Sequence, residues 1–194
     1  MRAVSIRELA AKAHGGELVL GRGSGAPPPL PAHDASGCAG RGAYSAFGSP
    51  SFSCHTAHVR VDRETGVARV LGYVAVHDFG RVLNPPGAEG QVEGGVVHGL
   101  GIALSEGTVH EDGRQVNAHL LDYKLQTAAD APPIVVGFVD SDPGEGTPFG
   151  SKGVGEPPVI PPAAAVANAL ARAAGGRVRQ LPMTPERVWE ALNS

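Results

Sequence analysis

The residues best suited to chemistry lie in one short stretch, Thr147 to Pro158, near the carboxyl end of the chain. Three glycines in six residues let this backbone turn tightly and expose its N–H groups. The carboxylate of Glu156 follows them directly, and two prolines fix the chain where it leaves the loop. A glycine-rich turn before a helix suits an anion, and a carboxylate at its rim is positioned for chemistry. An ordinary tight turn is the alternative.

A second candidate is the predicted helix from Pro85 to about Ser105, which Asn84 caps. It contains six glycines, and each interior glycine costs about 1 kcal/mol relative to alanine. Something must therefore approach its backbone closely. One face of the helix carries Gln91, Gly95, His98 and Ile102. A glutamine beside glycines suits a polar planar ligand, whereas close packing of the helix against a sheet explains the glycines equally well.

Histidine-containing segments offer weaker alternatives. Cys54, His55 and His58 could supply three metal ligands, but zinc sites need a fourth ligand or a second pair, and no matching Cys/His pair follows. A strand that begins with polar residues explains them as well, so we predict no metal site built from side chains. His77 and Asp78 could orient a base at a strand end, yet no nucleophile motif accompanies them.

Composition argues against several classes of function. The formal net charge of −3 and the lack of a Lys/Arg cluster argue against nucleic-acid binding. No run approaches the ~20 apolar residues of a membrane span, and the amino terminus lacks the apolar core of a signal peptide. A chain of 194 residues with only Cys38 and Cys54 needs no disulfide. We therefore expect a reduced, cytoplasmic protein without a membrane or nucleic-acid partner.

The elements that must position these residues form three predicted regions. Residues 1–25 indicate a helix (5–14) and a short strand (18–20), residues 26–56 a Gly/Pro-rich loop or linker, and residues 57–194 the main domain. The main domain begins with a hairpin that pairs residues 58–62 with residues 67–76.

The remaining predicted elements follow along the chain. They are a hairpin around Asp112-Gly113, an irregular stretch over 121–130, a buried strand over 134–139, and helices over 161–174 and 185–192. Strands, helices and hairpins that alternate irregularly favour α+β layers over a doubly wound parallel sheet.

Several rare motifs in this order resemble the molybdopterin-binding subunit of the xanthine dehydrogenase and aldehyde oxidase family. They lie at His77–Pro85, Gly90–Gly101, Leu121–Lys124, Gly150–Glu156 and Leu181–Val188. The likeness covers residues 57 to 192 and extends more weakly to residues 1–25. It implies an α+β fold, a two-layer α/β sandwich with β-hairpins and a mixed sheet.

The resemblance also implies a cofactor and a reaction. The family binds molybdopterin with its molybdenum, in bacteria often as the cytosine dinucleotide. It hydroxylates small-molecule substrates, namely aldehydes, purines or N-heterocycles, with oxygen from water. Partner subunits that carry FAD and [2Fe-2S] clusters would take the electrons away.

Residue roles follow by the same likeness. Glu156 would be the general base that removes the proton from the hydroxyl delivered to the substrate, and Gln91 would contact the pterin. Two glycines would let the helix lie close to the cofactor: Gly94 and Gly95. Backbone N–H groups would hold its polar edge, those of Lys152, Gly153, Val154 and Gly155.

This sequence departs from the family in two positions and in length. His98 stands where glutamine is common and Gln126 where proline is common, neither within the core motifs. The family's subunit is several times longer, so the chain resembles only its C-terminal piece. We expect it to be inactive without the upstream half, in the same or a separate chain, and to associate with that half or with a second copy of itself. A non-catalytic binding or assembly module, or a phosphate- or nucleotide-binding protein, is the alternative.

Overall fold

The computed structural model describes residues 50–139, 141 and 148–193. The predicted helix over 5–14, the strand over 18–20 and the loop as far as residue 49 lie outside these residues. The described elements in chain order are β1 (Phe52–Val61), β2 (Ala68–Asp78), α1 (Pro85–Leu104), β3 (His110–Glu111), β4 (Arg114–Gln115), α2 (Leu120–Tyr123), β5 (Ile134–Phe138), α3 (Pro161–Ala174) and α4 (Pro185–Leu192). Short 3₁₀ turns cover Pro148–Gly150 and Pro157–Val159.

The first hairpin pairs β1 with β2, as predicted. Its turn closes because the N–H of Gly66 donates to the carbonyl of Asp62 at 2.8 Å, with Gly66 at a φ of 73°. β1 begins at Phe52, so the loop predicted over residues 52–56 is wrong there. Polar residues in this segment, Cys54 and Thr56, occupy the exposed positions of a regular alternation, which disguised the strand.

The sheet is mixed, with the order β1-β2-β5 and β5 parallel to β2. The β-branched residues of β5 correctly predicted a strand, but they did not predict its position at the edge of the sheet. Val135 is 63% exposed and Val139 is 47% exposed, so the prediction of a buried strand is wrong for these two side chains. β5 is an edge strand, because it pairs only with β2 among the described strands.

The helices predicted over 85–105, 161–174 and 185–192 are confirmed. Asn84 caps α1, because its side-chain oxygen accepts a hydrogen bond from the N–H of Gly87 at 3.2 Å. α3 ends at Gly175, whose φ is 84°. The stretch predicted as irregular contains only the single turn α2. No helix in the described residues is both long enough and apolar enough to cross a membrane.

The core lies between the sheet and the helices that pack on one of its faces. Buried side chains come from the inner face of β2, from α1, from α3 and from the carboxyl-terminal segment: Tyr73, Ala75, Val92, Val96, Leu100, Val166, Leu170, Met183 and Val188. The opposite face of the hairpin exposes alternate residues such as Thr56 and Val74. The predicted α+β architecture in two layers is therefore confirmed, and it places the start of α1 beside the loop after residue 148.

Candidate functional site

An open cleft of about 390 Å³ lies between α1 and the loop that ends at Glu156. Its lining residues are Gly90, Gln91, Gly94, Gly95, His98, Gly155, Glu156 and Val159. The Gln91 side-chain amide donates a hydrogen bond to the carbonyl of Gly155 at 3.3 Å. The two segments that sequence analysis singled out, 64 residues apart in the chain, therefore meet at one site.

The loop is anchored to the segment that follows β2. The N–H of Arg81 donates to the carbonyl of Gly150 at 3.0 Å, and the N–H of Lys152 donates to the carbonyl of Phe79 at 2.8 Å. Gly80 lies between these bonds with a φ of 58°, and a Cβ there would stand 2.4 Å from the Gly150 carbonyl oxygen. Only glycine fits at this crossing.

Both the side chain and the backbone of Lys152 take part in this anchor. Its Nζ stands 2.6 Å from Oδ2 of Asp78, whose other oxygen accepts hydrogen bonds from the Ser141 hydroxyl and the Gly80 N–H. Burial opposes ionisation of Asp78, but these hydrogen bonds and the Lys152 charge together hold its pKa below the usual range. The Lys152 N–H is bonded to the strand end, contrary to the prediction that it faces a ligand.

The next part of the loop has unpaired backbone donors. The Ser51 hydroxyl donates a hydrogen bond to the Gly153 carbonyl at 2.7 Å. Among the described residues, none accepts a hydrogen bond from the backbone N–H of Gly153, Val154 or Gly155. Gly153 and Gly155 are exposed, and Gly155 lines the cleft. Such a row of N–H groups is suited to an electronegative ligand edge.

The glycines of α1 fall into two sets. A Cβ added at Gly90 or Gly94 would meet no atom within 4 Å, so the helix is open there. A Cβ at Gly95 would stand 2.5 Å from Cβ of Pro158, and one at Gly99 would stand 2.6 Å from Cγ of Pro162. The close approach predicted at Gly95 is therefore made by the protein itself, whereas Gly94 leaves space for a ligand.

Glu156 lies exposed at the rim of the cleft. Its carbonyl accepts a hydrogen bond from the N–H of Val159 at 3.0 Å, which closes the 3₁₀ turn at Pro157–Val159. The two prolines restrict the backbone directly after it. The backbone of Glu156 is thus fixed by the turn, at a residue that lines the cleft.

A second cavity, of about 540 Å³, lies between α1 and the segment that leads to β5. Gly90 and Gly94 border it as well as the cleft, and Gln126, Thr127 and Ile134 line its far side. The open glycines of α1 therefore separate two neighbouring spaces.

The structure contains a histidine cluster that sequence analysis did not find. His55 Nδ1 lies 2.9 Å from the Tyr73 hydroxyl, and His55 Nε2 lies 2.8 Å from His77 Nε2. Burial, and then the neighbouring His77, lowers the pKa of His55 to about 4, and burial also lowers the pKa of His77. His77 stacks on Phe79 with ring centroids 4.6 Å apart, so it is part of the core and orients no base.

The hairpin register could have revealed this cluster. His55 pairs with Ala75, which places it diagonally between Tyr73 and His77 on the same face of the sheet. Cys54 projects from the opposite face, so the three-ligand metal alternative does not assemble. Within the described residues, no group of three or more His, Cys, Asp or Glu side chains is arranged to hold a metal ion.

Known proteins match both the sequence and the fold. A family model described as molybdopterin cofactor-binding domain matches residues 1–132, a range that includes α1 and ends before the loop. The xanthine dehydrogenase molybdenum-binding subunit of Escherichia coli O157:H7 is 40% identical over 146 residues, which cover 74% of this chain and 19% of that protein.

Solved structures support the same grouping. Aldehyde oxidoreductase from Desulfovibrio gigas matches with a TM-score of 0.68 and 34% identity over 74% of this chain and 16% of its own. Quinoline 2-oxidoreductase from Pseudomonas putida 86 matches with a TM-score of 0.67 and 33% identity over 72% of this chain and 18% of its own. The chain spans about a fifth of the length of the curated relatives it matches.

Proposed function

The chain belongs to the family of molybdopterin cofactor-binding domains, and from this premise we propose that its cleft holds one side of molybdopterin in a molybdenum hydroxylase. The observation that carries the proposal is the meeting of the Gln91 amide with the loop at Gly155, across an open cleft. The enzymes among its relatives include xanthine dehydrogenase and aldehyde oxidoreductase subunits.

The residues of the cleft fit a flat, polar ring system. Gly94 and Gly155 have no atom within 4 Å of an added Cβ, which leaves room for a ring against the backbone. The N–H groups of Gly153, Val154 and Gly155 can donate to its polar edge, and the Gln91 amide can donate or accept. The ring would lie between α1 and the loop, with Gln91 at one edge.

Glu156 is proposed as the general base. Molybdenum, when bound with the pterin, supplies the redox chemistry by which a substrate gains oxygen from water. A carboxylate oxygen of Glu156 would accept the proton that this oxygen carries, provided that it comes within hydrogen-bond reach. The 3₁₀ turn after Glu156 and its two prolines hold the backbone, so that only the side chain needs to adjust.

The rest of the site would come from outside this chain. A binding site usually buries most of a ligand of this size, whereas the cleft here is open to solvent. The upstream part of the subunit would supply the missing wall and the contacts to an aldehyde, purine or N-heterocycle. Partner subunits with FAD and [2Fe-2S] clusters would accept the electrons.

The role of Glu156 is tested in the enzyme assembled with that upstream part. Glu156→Gln keeps the shape of the side chain but cannot accept the proton, so we expect turnover to be abolished while molybdenum content stays near wild type. Glu89→Gln, the same change at an exposed position of α1, is the matched control and should leave kcat unchanged. Comparable kcat in Glu156→Gln would refute the assignment.

The open cleft also sets an expectation for residues 1–194 alone. Expressed in a host that makes the cofactor, this chain should fold yet contain little molybdenum and catalyse no aldehyde or purine oxidation. Metal analysis by mass spectrometry and both assays would check this. Stoichiometric metal with turnover would contradict the need for a second wall. A nucleotide or phosphate that purifies with the chain in place of the pterin would favour the nucleotide-binding alternative.

A further inference from the structure

An enclosed ion pair between Asp78 and Lys152 lies at the base of the loop. The Lys152 and Asp78 side chains are only 10% and 13% exposed, and their charged atoms are 2.6 Å apart. A pair this enclosed is disrupted at high cost, because the remaining charge loses its partner away from water. It joins the last residue of β2 to a residue four positions before Glu156.

Asp78 is also organised for this pairing. Its Oδ1 accepts from the Ser141 hydroxyl and from the N–H of Gly80, which leaves Oδ2 to Lys152. On the loop side, the Lys152 N–H bonds to Phe79 and the Arg81 N–H bonds to Gly150. The side-chain pair and the two backbone bonds hold one point of the loop from different directions.

We propose that Lys152 and Asp78 are positioning residues, which set where Gly153–Glu156 lies relative to Gln91. This inference rests on the proposed function, because it assigns the pair to the placement of the loop that would hold the pterin and carry Glu156. The pair itself lines neither cavity, so it acts through the loop and not on a ligand. The Gln91–Gly155 hydrogen bond is the contact that depends on this placement.

Amide hydrogen exchange of residues 1–194 tests the inference without requiring activity. Lys152→Met removes the charge and keeps the stem, and Lys152→Arg keeps the charge. The amides of Arg81 and Lys152 should exchange about tenfold faster or more in Lys152→Met, since loss of an enclosed charge partner opens the structure locally. The amide of Tyr73, bonded to Pro133 in the sheet, should be unchanged, and Lys152→Arg should restore protection.

The control is Lys124→Met, the same substitution at an exposed lysine, which should resemble wild type. If Lys152→Met fails to fold, the double variant Asp78→Asn/Lys152→Met removes both charges and leaves no unpaired ion. It should keep wild-type protection at Tyr73 and lose it at Arg81 and Lys152. Equal loss at all three amides would mean a purely structural role, and unchanged loop amides in either variant would also overturn the inference.

A second measurement separates this inference from the proposed function. In the assembled enzyme, Lys152→Met should lower both molybdenum content and the kcat per bound molybdenum with KM near wild type, and Lys152→Arg should recover both. A rise in KM alone would overturn the positioning role. If the wild-type protein never binds molybdopterin, the proposed function fails, while the exchange result still decides whether the pair sets the loop.

Discussion

The two faces of α1 use the same residue type for opposite purposes. On one face, Gly95 and Gly99 allow Pro158 and Pro162 to cross the helix at distances that no side chain would tolerate. On the other, a Cβ added at Gly90 or Gly94 would meet no atom within 4 Å, and both glycines border open space. Glycine content alone therefore does not locate a binding site, because the packed glycines stabilise the fold and only the open ones leave room for a ligand.

Gly95→Val tests the packed face and should have the largest effect on stability. Its Cβ would overlap Pro158, and overpacking of this kind typically costs about 1–3 kcal/mol in the free energy of unfolding. Denaturant unfolding measures the loss. Gly90→Val, the same change on the open face, is the control and should not destabilise. An unchanged free energy of unfolding in Gly95→Val would show that the helix can move away from Pro158.

The histidine cluster belongs to the packed region and should make its stability depend on pH. The pKa of His55 is about 4 in the fold and about 6.5 when exposed, so between these values the unfolded chain binds the extra proton. The contribution of neutral His55 to the free energy of unfolding should therefore be complete above pH 6.5 and be lost as the pH drops towards 4. Unfolding at pH 7 and pH 5 measures this loss.

Two variants assign the pH effect. His55→Gln should reduce the loss between pH 7 and pH 5, because one of the two histidines with a lowered pKa is gone. His58→Gln, on the exposed face of the same strand, should show the wild-type loss. An undiminished loss in His55→Gln would place the pH dependence elsewhere in the chain.

Gly94→Ala tests the open face and should have the smallest effect on stability. Alanine favours a helix by up to about 1 kcal/mol over glycine, and its Cβ meets no atom here. The free energy of unfolding should rise slightly, while molybdopterin content of the assembled enzyme should fall because the methyl group occupies ligand space. A variant that is more stable and retains full cofactor would show that the ring does not approach Gly94.

Much of the fold could be predicted because local patterns determined it. The Asn84 cap with its prolines specified α1, and the alternation around Gly66 specified the hairpin. The exposed edge position of β5 could not be predicted, since β-branched residues indicate a strand but not its neighbours. The extent of β1 was also missed, because polar residues on its exposed face resemble a loop.

The residues of the site could be predicted from the sequence, but the contacts between them could not. Gln91 and the loop at Gly155 were both identified, and they do meet. The partner of Lys152 was not, since an ion pair that spans 74 residues depends on how β2 and the loop are brought together. The crowding at Gly95 was expected from its glycine, but whether Pro158 or a ligand caused it could be read only from the fold.

The most direct test of the cleft is an anaerobic titration of residues 1–194 with molybdopterin, followed by amide exchange. We expect saturable binding at high ligand concentration that slows exchange at Gly153, Val154 and Gly155. Gln91→Ala should weaken binding about two- to tenfold, the range of one hydrogen bond, and the exposed Gln115→Ala should match wild type. Molybdopterin binding that leaves these three amides unprotected, with the same affinity in Gln91→Ala as in the wild type, would contradict the account.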